Sequence, residues 1–270
     1  MEFLVRYEKN WVKKSTRLAV NCVIARRRIT VLKAVGGTHQ GLVRTENQDS
    51  WLARALADGG LLVAVADGIG GAPGGRQASR LALAALEAGV TQGSHGEHLA
   101  EVIEMANRRV HSEGEHAPEL RGMGTTLTAG VFWKRQLILA HVGDSRAYQL
   151  DRTGLRQCTD DHSVAAELER VGSLSAEEVS NHPQRHVLTR AIGPFRDVRV
   201  DRQVLSWAHG DRLVLCTDGL YNTLSDARIF DICQRFEGQA AVDALIAEAL
   251  FAGGPDDITV VIVESSTGLV

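Results

Sequence analysis

Four aspartates stand where a β-rich apolar run meets a turn. LLVAVADG (Leu61 to Gly68), LILAHVGDS (Leu137 to Ser145) and RLVLCTDG (Arg212 to Gly219) bring Asp67, Asp144 and Asp218 to strand ends, each followed by a tiny residue. GGPDDITVVIV (Gly253 to Val263) starts from Asp256 instead. Short β-rich runs read as strands, so these acids gather where strands end. Gathered carboxylates repel one another and resist ionising together. Hard divalent cations relieve that repulsion and take oxygen ligands. The pattern therefore implies a multi-metal site built on a sheet.

Each acid also has an ordinary explanation: an Asp-Gly turn at Asp67, a helix N-cap at Asp218, a turn acid at Asp256, a hairpin acid at Asp144. Four of them in one shared context weigh against coincidence. Asp67 is followed by Gly68, Gly70 and Gly71, which let a backbone carbonyl approach an ion closely. GLVRTENQDS adds Arg44, five residues before Asp49. An arginine beside such a cluster suits bidentate capture of a phosphate. Asp49 is placed to meet the metal or a water bound to it.

These residues need elements to hold them. ITVLKAV, DSWLARAL and GLLVAVAD read as strands. Helices are expected over about 74–89 and 97–113, where apolar residues recur at helical spacing. TTLTAGVFW, QLILAHVG and SRAYQLD are strands joined by short links, which predicts an antiparallel meander. Residues 160–193 are polar and broken, with two short helical pieces and a capping-box pair in Ser175 and Glu178. They read as a flap inserted between sheet elements. Strands near 198–205 and 212–216, helices near 227–235 and 240–251, and a strand over 258–263 complete the chain. This order predicts an α+β fold: a four-layer α/β/β/α sandwich of two mainly antiparallel sheets flanked by helices.

The 270 residues allow one large domain, and 44% apolar with 23% charged content is ordinary for a globular protein. A net charge of −3 implies no nucleic-acid partner, but its distribution is uneven. The first 33 residues hold nine basic and two acidic side chains, a net +7, so the remainder carries −10. Residues 1–30 are expected to be a basic extension, disordered or peripheral, with the domain over 31–266 and the flap at about 160–193. The alternative is a basic arm that docks on an acidic partner or membrane surface. Cys22, Cys158, Cys216 and Cys233 show no paired spacing, so neither a disulfide framework nor a zinc site is expected. A reducing, cytoplasmic setting follows. No stretch has the length of a membrane span.

The motifs GLVRTENQD, VAVADGIGG, GMGTTLTAG, HVGDSRAY, CTDDHS, HPQRHVLTRAIG, LVLCTDGL and GGPDDITVVIV follow one another from about Val31 to Val263. In that order they resemble a bacterial protein serine/threonine phosphatase of the PPM, or protein phosphatase 2C, type. The resemblance implies that Asp67 bridges two Mn²⁺ or Mg²⁺ ions, that Gly68 gives its carbonyl, and that Asp218 and Asp256 complete the second ion. It implies that Asp144, with Asp218, holds an optional third ion. Arg44 takes the place of the phosphate-binding arginine, and Gln48 and Asp49 that of an acidic pair facing metal-bound water. His182, in the flap, is a weaker candidate for substrate contact.

Three departures stand out. Gln48 replaces a frequent Glu, Asp257 replaces an Asn beside the metal acid, and Ile69 stands where some eukaryotic relatives carry a histidine. The reaction implied is attack of a water activated between two ions on a phosphoserine or phosphothreonine, with no phosphoenzyme. The implied partners are phosphorylated proteins and a cognate bacterial Ser/Thr kinase with its targets, met by a monomer in signal transduction. Two other readings stay open: a catalytically weak binding member of the fold, and a small-molecule phosphatase or phosphodiesterase. The retained acids favour activity, because a binding protein has no use for a repulsive cluster.

Overall fold

Strict alternation along the apolar runs decides the layers. Leu61, Val63 and Val65 pack into one core, and the intervening Leu62, Ala64 and Ala66 into another. Leu213 and Leu215 share the first core, whereas Val214 and Cys216 pack into a third. A strand whose two faces are both covered needs apolar residues at every position, and these runs are continuous for that reason.

The computed structural model describes residues 11–12, 15–23, 30–69, 74–90 and 96–267. Its elements are β1 (Trp11–Val12), β2 (Ser15–Val23), β3 (Thr30–His39), β4 (Ser50–Ala55), β5 (Leu61–Ala66), α1 (Gly75–Gly89), α2 (Leu99–His116), β6 (Leu127–Trp133), β7 (Gln136–Val142), β8 (Arg146–Asp151) and β9 (Gly154–Gln157). There follow α3 (Val164–Arg170), α4 (Ala176–Asn181), β10 (Asp201–Ser206), β11 (Arg212–Cys216), α5 (Asp218–Tyr221), α6 (Asp226–Arg235), α7 (Gly238–Phe251) and β12 (Ile258–Thr267). One sheet has the order β1-β2-β3-β12-β11-β8-β9, the other β10-β7-β6-β5-β4. The ladders are antiparallel.

The core between the sheets is built from Leu32, Leu61, Val63, Phe132, Leu139, Leu213 and Val261. Helices α1 and α2 cover the five-stranded sheet through Ala78, Ala82, Leu86 and Ile103. Helices α6 and α7 cover the larger sheet through Ile229, Ile232, Val242 and Leu245. The four-layer α/β/β/α sandwich is thus present as expected. Among the described residues no helix is long and apolar enough to cross a membrane.

Two expectations need correction. β7 and β8 do not continue a meander: β7 pairs with β6 and β10, whereas β8 pairs with β11 and β9 in the other sheet. The link Gly143–Asp144–Ser145 therefore crosses between sheets, and Asp144 is a crossover residue, not a hairpin tip. Residues 15–23 are not peripheral to the fold in the sense expected. They form β2, paired with β3 from Ser15↔His39 to Val23↔Val31. Leu18, Val20 and Cys22 alternate in sequence with Arg17, Ala19 and Asn21, a two-residue period that the surrounding basic residues obscure. The remaining extension residues 1–10, 13–14 and 24–29 lie outside the described residues.

The flap is closed on itself. Val164 N–H donates to Val187 O at 2.9 Å, and Thr189 N–H to His162 O at 2.8 Å. Ser163 caps α3, and Ser175 with Glu178 forms the expected capping box on α4.

Candidate active site

Antiparallel pairing carries the acids to one end of both sheets. Ser50 pairs with Ala66, Val65 with Thr128, and Leu127 with Val142, so Asp49, Asp67 and Asp144 leave the five-stranded sheet on the same side. Cys216 pairs with Val260, and Ile258 with His39, which brings Asp218, Asp256 and the segment carrying Arg44 out together. One cavity of about 730 Å³ is lined by Arg44, Asp67, Asp144, Asp218 and Asp256.

Asp67 is held by its backbone, leaving its carboxyl to the cavity. Its N–H donates to Thr126 Oγ1 at 2.9 Å. Its carbonyl accepts from Thr125 Oγ1 at 2.8 Å and from Thr126 N–H at 2.9 Å. Gly68 has no room for a side chain: a Cβ there would lie 2.5 Å from the Gly75 carbonyl and 2.7 Å from Gln48 O. Gly70 and Gly71 lie outside the described residues.

Asp49 sits beneath this floor. Its Oδ2 accepts from Thr217 Oγ1 at 2.8 Å, while its buried Oδ1 has no hydrogen-bond partner. Burial pushes the Asp49 carboxyl up to about 8. Desolvation, then the charges of Asp49, Asp218, Asp144 and Asp256, hold Asp67 well above the usual carboxylate range. Burial, then Asp218 and Asp161, does the same to Asp144. Acids that obstruct each other's ionisation, with an unpartnered carboxylate oxygen among them, are a donor set suited to hard cations. Among the described residues no three acidic, histidine or cysteine side chains already converge on one point in ligand geometry. Asp256 is instead turned to Arg44, whose Nε donates to its Oδ1 at 2.6 Å and whose Nη2 donates to its Oδ2 at 2.5 Å.

The crossover bearing Asp144 is anchored by two residues, His162 and Tyr221. Gly143 N–H donates to His162 Nδ1 at 3.0 Å, and His162 N–H to Gly143 O at 2.8 Å. His162 Nε2 therefore carries the proton and donates to Asp201 Oδ2 at 3.1 Å. Tyr221 OH donates to Asp144 O at 3.0 Å, under the Arg146 guanidinium 3.7 Å from the Tyr221 ring centre. Asp218 opens α5, and its Oδ2 accepts from Asn222 Nδ2 at 3.1 Å.

Asp257 stands beside the acids, and its charge adds to those that oppose ionisation of Asp49, while its own buried Oδ1 has no hydrogen-bond partner. Its Oδ2 accepts from the Gln48 N–H at 2.8 Å, and Gln48 O in turn accepts from Ser79 Oγ at 2.6 Å. Burial pushes the Asp257 carboxyl up to about 6. Asp257 thus fixes the turn that carries Gln48 and Asp49.

Of the sequence candidates, Asp49, Gly68 and His182 do not line the cavity, and of these His182, in the flap, is the one tied up elsewhere. Its N–H ends α4 on Val179 O at 3.1 Å, and its Nδ1 accepts from Gln184 N–H at 3.2 Å. The flap histidine that lines the cavity is His186, with Nδ1 3.7 Å from Asp218 Oδ2. Both lie in HPQRHVLTRAIG, and the turn between them decides which faces the acids. Residue types alone carry no sign of that turn. Thr125, Thr126, His162 and Tyr221 were also missed as positioning residues, because each acts through a partner distant in sequence.

Residues 37–250 match the family model described as protein phosphatase 2C. The chain belongs to this family. It is 37% identical over 235 residues to the serine/threonine phosphatase stp of Listeria welshimeri, covering 84% of this chain and 93% of that one. The crystal structure of the Mycobacterium tuberculosis serine/threonine phosphatase PstP/Ppp superposes with a TM-score of 0.79 at 37% identity, covering 86% of this chain and 98% of the other. The catalytic domain of PstP in complex with two manganese ions gives a TM-score of 0.76 at 34% identity, covering 87% and 99%. Arg44, Asp49, Asp67, Asp144 and Asp218 fall within the residues that the family model matches, and Asp256 lies six residues beyond them.

Proposed function

We infer that this chain is a metal-dependent protein phosphatase that hydrolyses phosphoserine and phosphothreonine. The observation that carries the reading is the single cavity shared by Arg44, Asp67, Asp144, Asp218 and Asp256, with Asp49 beneath it, in a protein phosphatase 2C family member.

Asp67, Asp218 and Asp256, with the Gly68 carbonyl and Asp49, would hold two core ions, Mn²⁺ or Mg²⁺. Asp144 and Asp218 would hold an optional third. Bound cations supply the charge that makes water nucleophilic at neutral pH and that offsets phosphoryl charge. Arg44, turned from Asp256, presents a bidentate fork to two phosphoryl oxygens and stabilises the charge that develops on them. Thr125 and Thr126 keep the Asp67 backbone fixed while its carboxyl works. His162 and Tyr221 do the same for the Asp144 crossover.

A phosphocysteine route has no support. Cys158, Cys216 and Cys233 do not line the cavity, and burial pushes all three thiols up, Cys233 to about 11. The free state of these three cysteines supports a reducing cytoplasm as the setting. The expected partners are phosphorylated proteins and a cognate Ser/Thr kinase with its targets, met by a monomer.

The test is phosphate release from a phosphothreonine peptide with Mn²⁺ and again after EDTA. The reading requires release in the first case and loss in the second. Hydrolysis that persists in EDTA, or its absence with Mn²⁺, overturns it.

A further inference from the structure

An apolar wall rises from the acid floor to the rim of the cavity. Ile69, next after Gly68, donates its N–H to Gly124 O at 3.0 Å. A Cβ on Gly124 would lie 2.7 Å from Ile69 Cδ1 and 3.0 Å from Pro194 Cγ. The absent side chain at 124 thus lets Ile69 and Pro194 close on the same point. Phe195 follows Pro194 and is 73% exposed. Ile69, Pro194 and Phe195 all line the cavity that holds Asp67 and Arg44.

The turn that carries Phe195 is fixed from behind. Asn107 of α2 is fully buried. Its Nδ2 donates to Phe195 O at 3.0 Å and to Arg196 O at 2.9 Å, and its Oδ1 accepts from Gly193 N–H at 2.8 Å. The His111 ring is 3.0 Å from Gly193 O through Nδ1. The hydrogen bonds made by Asn107 are the kind a buried amide needs, and they leave the turn little freedom. A large aromatic side chain held in solvent by a rigid turn, lining the same cavity as the acids, has the character of a binding anchor.

We propose that Ile69, Pro194 and Phe195 form a substrate-selecting wall that takes an apolar side chain of the phosphoprotein within two residues of the phosphorylated serine or threonine. Asn107 is the positioning residue for that wall. The proposal rests on the phosphatase reading, because the occupant is the substrate segment already seated on the acids and Arg44. An extended chain advances ~3.3 Å per residue, so neighbours of the phosphorylated residue fall within reach of the rim. The wall touches the same side chain before and during bond breaking, and a contact made equally in both states acts on KM.

The experiment compares kcat/KM of the Mn²⁺-loaded protein on phosphothreonine peptides that differ only by Leu or Ser at positions −2, −1, +1 and +2. The expected result is a preference of about 10-fold for Leu at one position, expressed in KM. Phe195→Ser brings that ratio towards one, and Phe195→Leu retains most of it. Because Phe195 is exposed, these variants keep the packed core. Asn107→Ala raises KM for the Leu peptide more than for the Ser peptide. Equal rates for Leu and Ser peptides at all four positions, or an unaltered ratio in Phe195→Ser, overturn the wall and leave the phosphatase reading standing. No hydrolysis of either peptide overturns both.

Discussion

Arg44 grips Asp256 with two parallel hydrogen bonds, Nε to Oδ1 at 2.6 Å and Nη2 to Oδ2 at 2.5 Å. The pair joins the residue expected to hold phosphate to a residue expected to hold metal. Each group engages the nearest opposite charge, so cation binding at Asp256 and anion binding at Arg44 are linked: an ion on Asp256 releases the fork for phosphate. Arg44→Ala is therefore expected to weaken inhibition by inorganic phosphate by about 10- to 100-fold, the scale of charged hydrogen bonds. Calorimetric Mn²⁺ affinity should hold or tighten, since a competitor for Asp256 is gone. Loss of Mn²⁺ binding would give Arg44 a different role.

Repulsion within the cluster makes a second prediction. Asp67 is disfavoured as an anion by desolvation and by four neighbouring acids. Asp67→Asn removes one of the repelling charges. The metal-free variant should be more stable than metal-free wild type, on the order of 1–3 kcal/mol. The rise in Tm that Mn²⁺ gives the wild type should disappear in the variant. Thermal melts with and without Mn²⁺ read both effects, and a less stable metal-free variant would contradict the account.

His141 and His162 supply a pH dependence outside the metal acids. Burial, the largest effect, lowers His141 to about 4 and His162 to about 3, in spite of Asp201 beside the latter. Both are neutral when folded, whereas the unfolded chain takes up protons near pH 6.5. Their contribution to stability is thus fully present above about pH 6.5 and falls as the pH drops towards their folded values. The loss is up to ~1.4 kcal/mol per pH unit for each histidine. The acid cluster acts with the opposite sign, since carboxyls with raised values gain stability as the pH falls. The histidine effect is therefore read as a difference: His141→Gln should flatten the fall between pH 6.5 and 5 relative to wild type in urea titrations. Parallel curves would remove His141 from the account.

Much of this architecture was legible because burial on both faces leaves a plain mark. β5, most of β11 and the first half of β12 are apolar runs, and Asp67, Asp218 and Asp256 stand just beyond their ends. The link at 143–145 was misread because a three-residue break looks alike whether the next strand pairs beside the last one or crosses to another sheet. β2 was missed because the alternation of Leu18, Val20 and Cys22 is diluted by Ala19 and by nearby arginines. His186 was missed in favour of His182 because only the folded turn between them selects one. Asp257 stood out in the sequence only as a departure beside the metal acid, and in the structure its Oδ2 accepts from the Gln48 N–H.

The position of β2 yields a further prediction. Removing residues 1–28 strips nine paired residues from β3 and leaves a long strand edge bare. The truncated protein should melt at a lower temperature and aggregate more readily. Its folded fraction should retain hydrolysis, because the acids and Arg44 lie on other segments. An unchanged Tm would show that β2 contributes nothing to the sheet.

The central claim is that carboxylates at strand ends hold the ions that drive hydrolysis. Its most direct measurement is Mn²⁺-dependent phosphate release from a phosphothreonine peptide by wild type, Asp67→Asn and Asp218→Asn, with Mn²⁺ affinity measured on the same samples. The account predicts that both substitutions weaken Mn²⁺ binding and cut kcat by two orders of magnitude or more, on the order of the loss of a principal electrostatic group. Near wild-type release by both variants would contradict it.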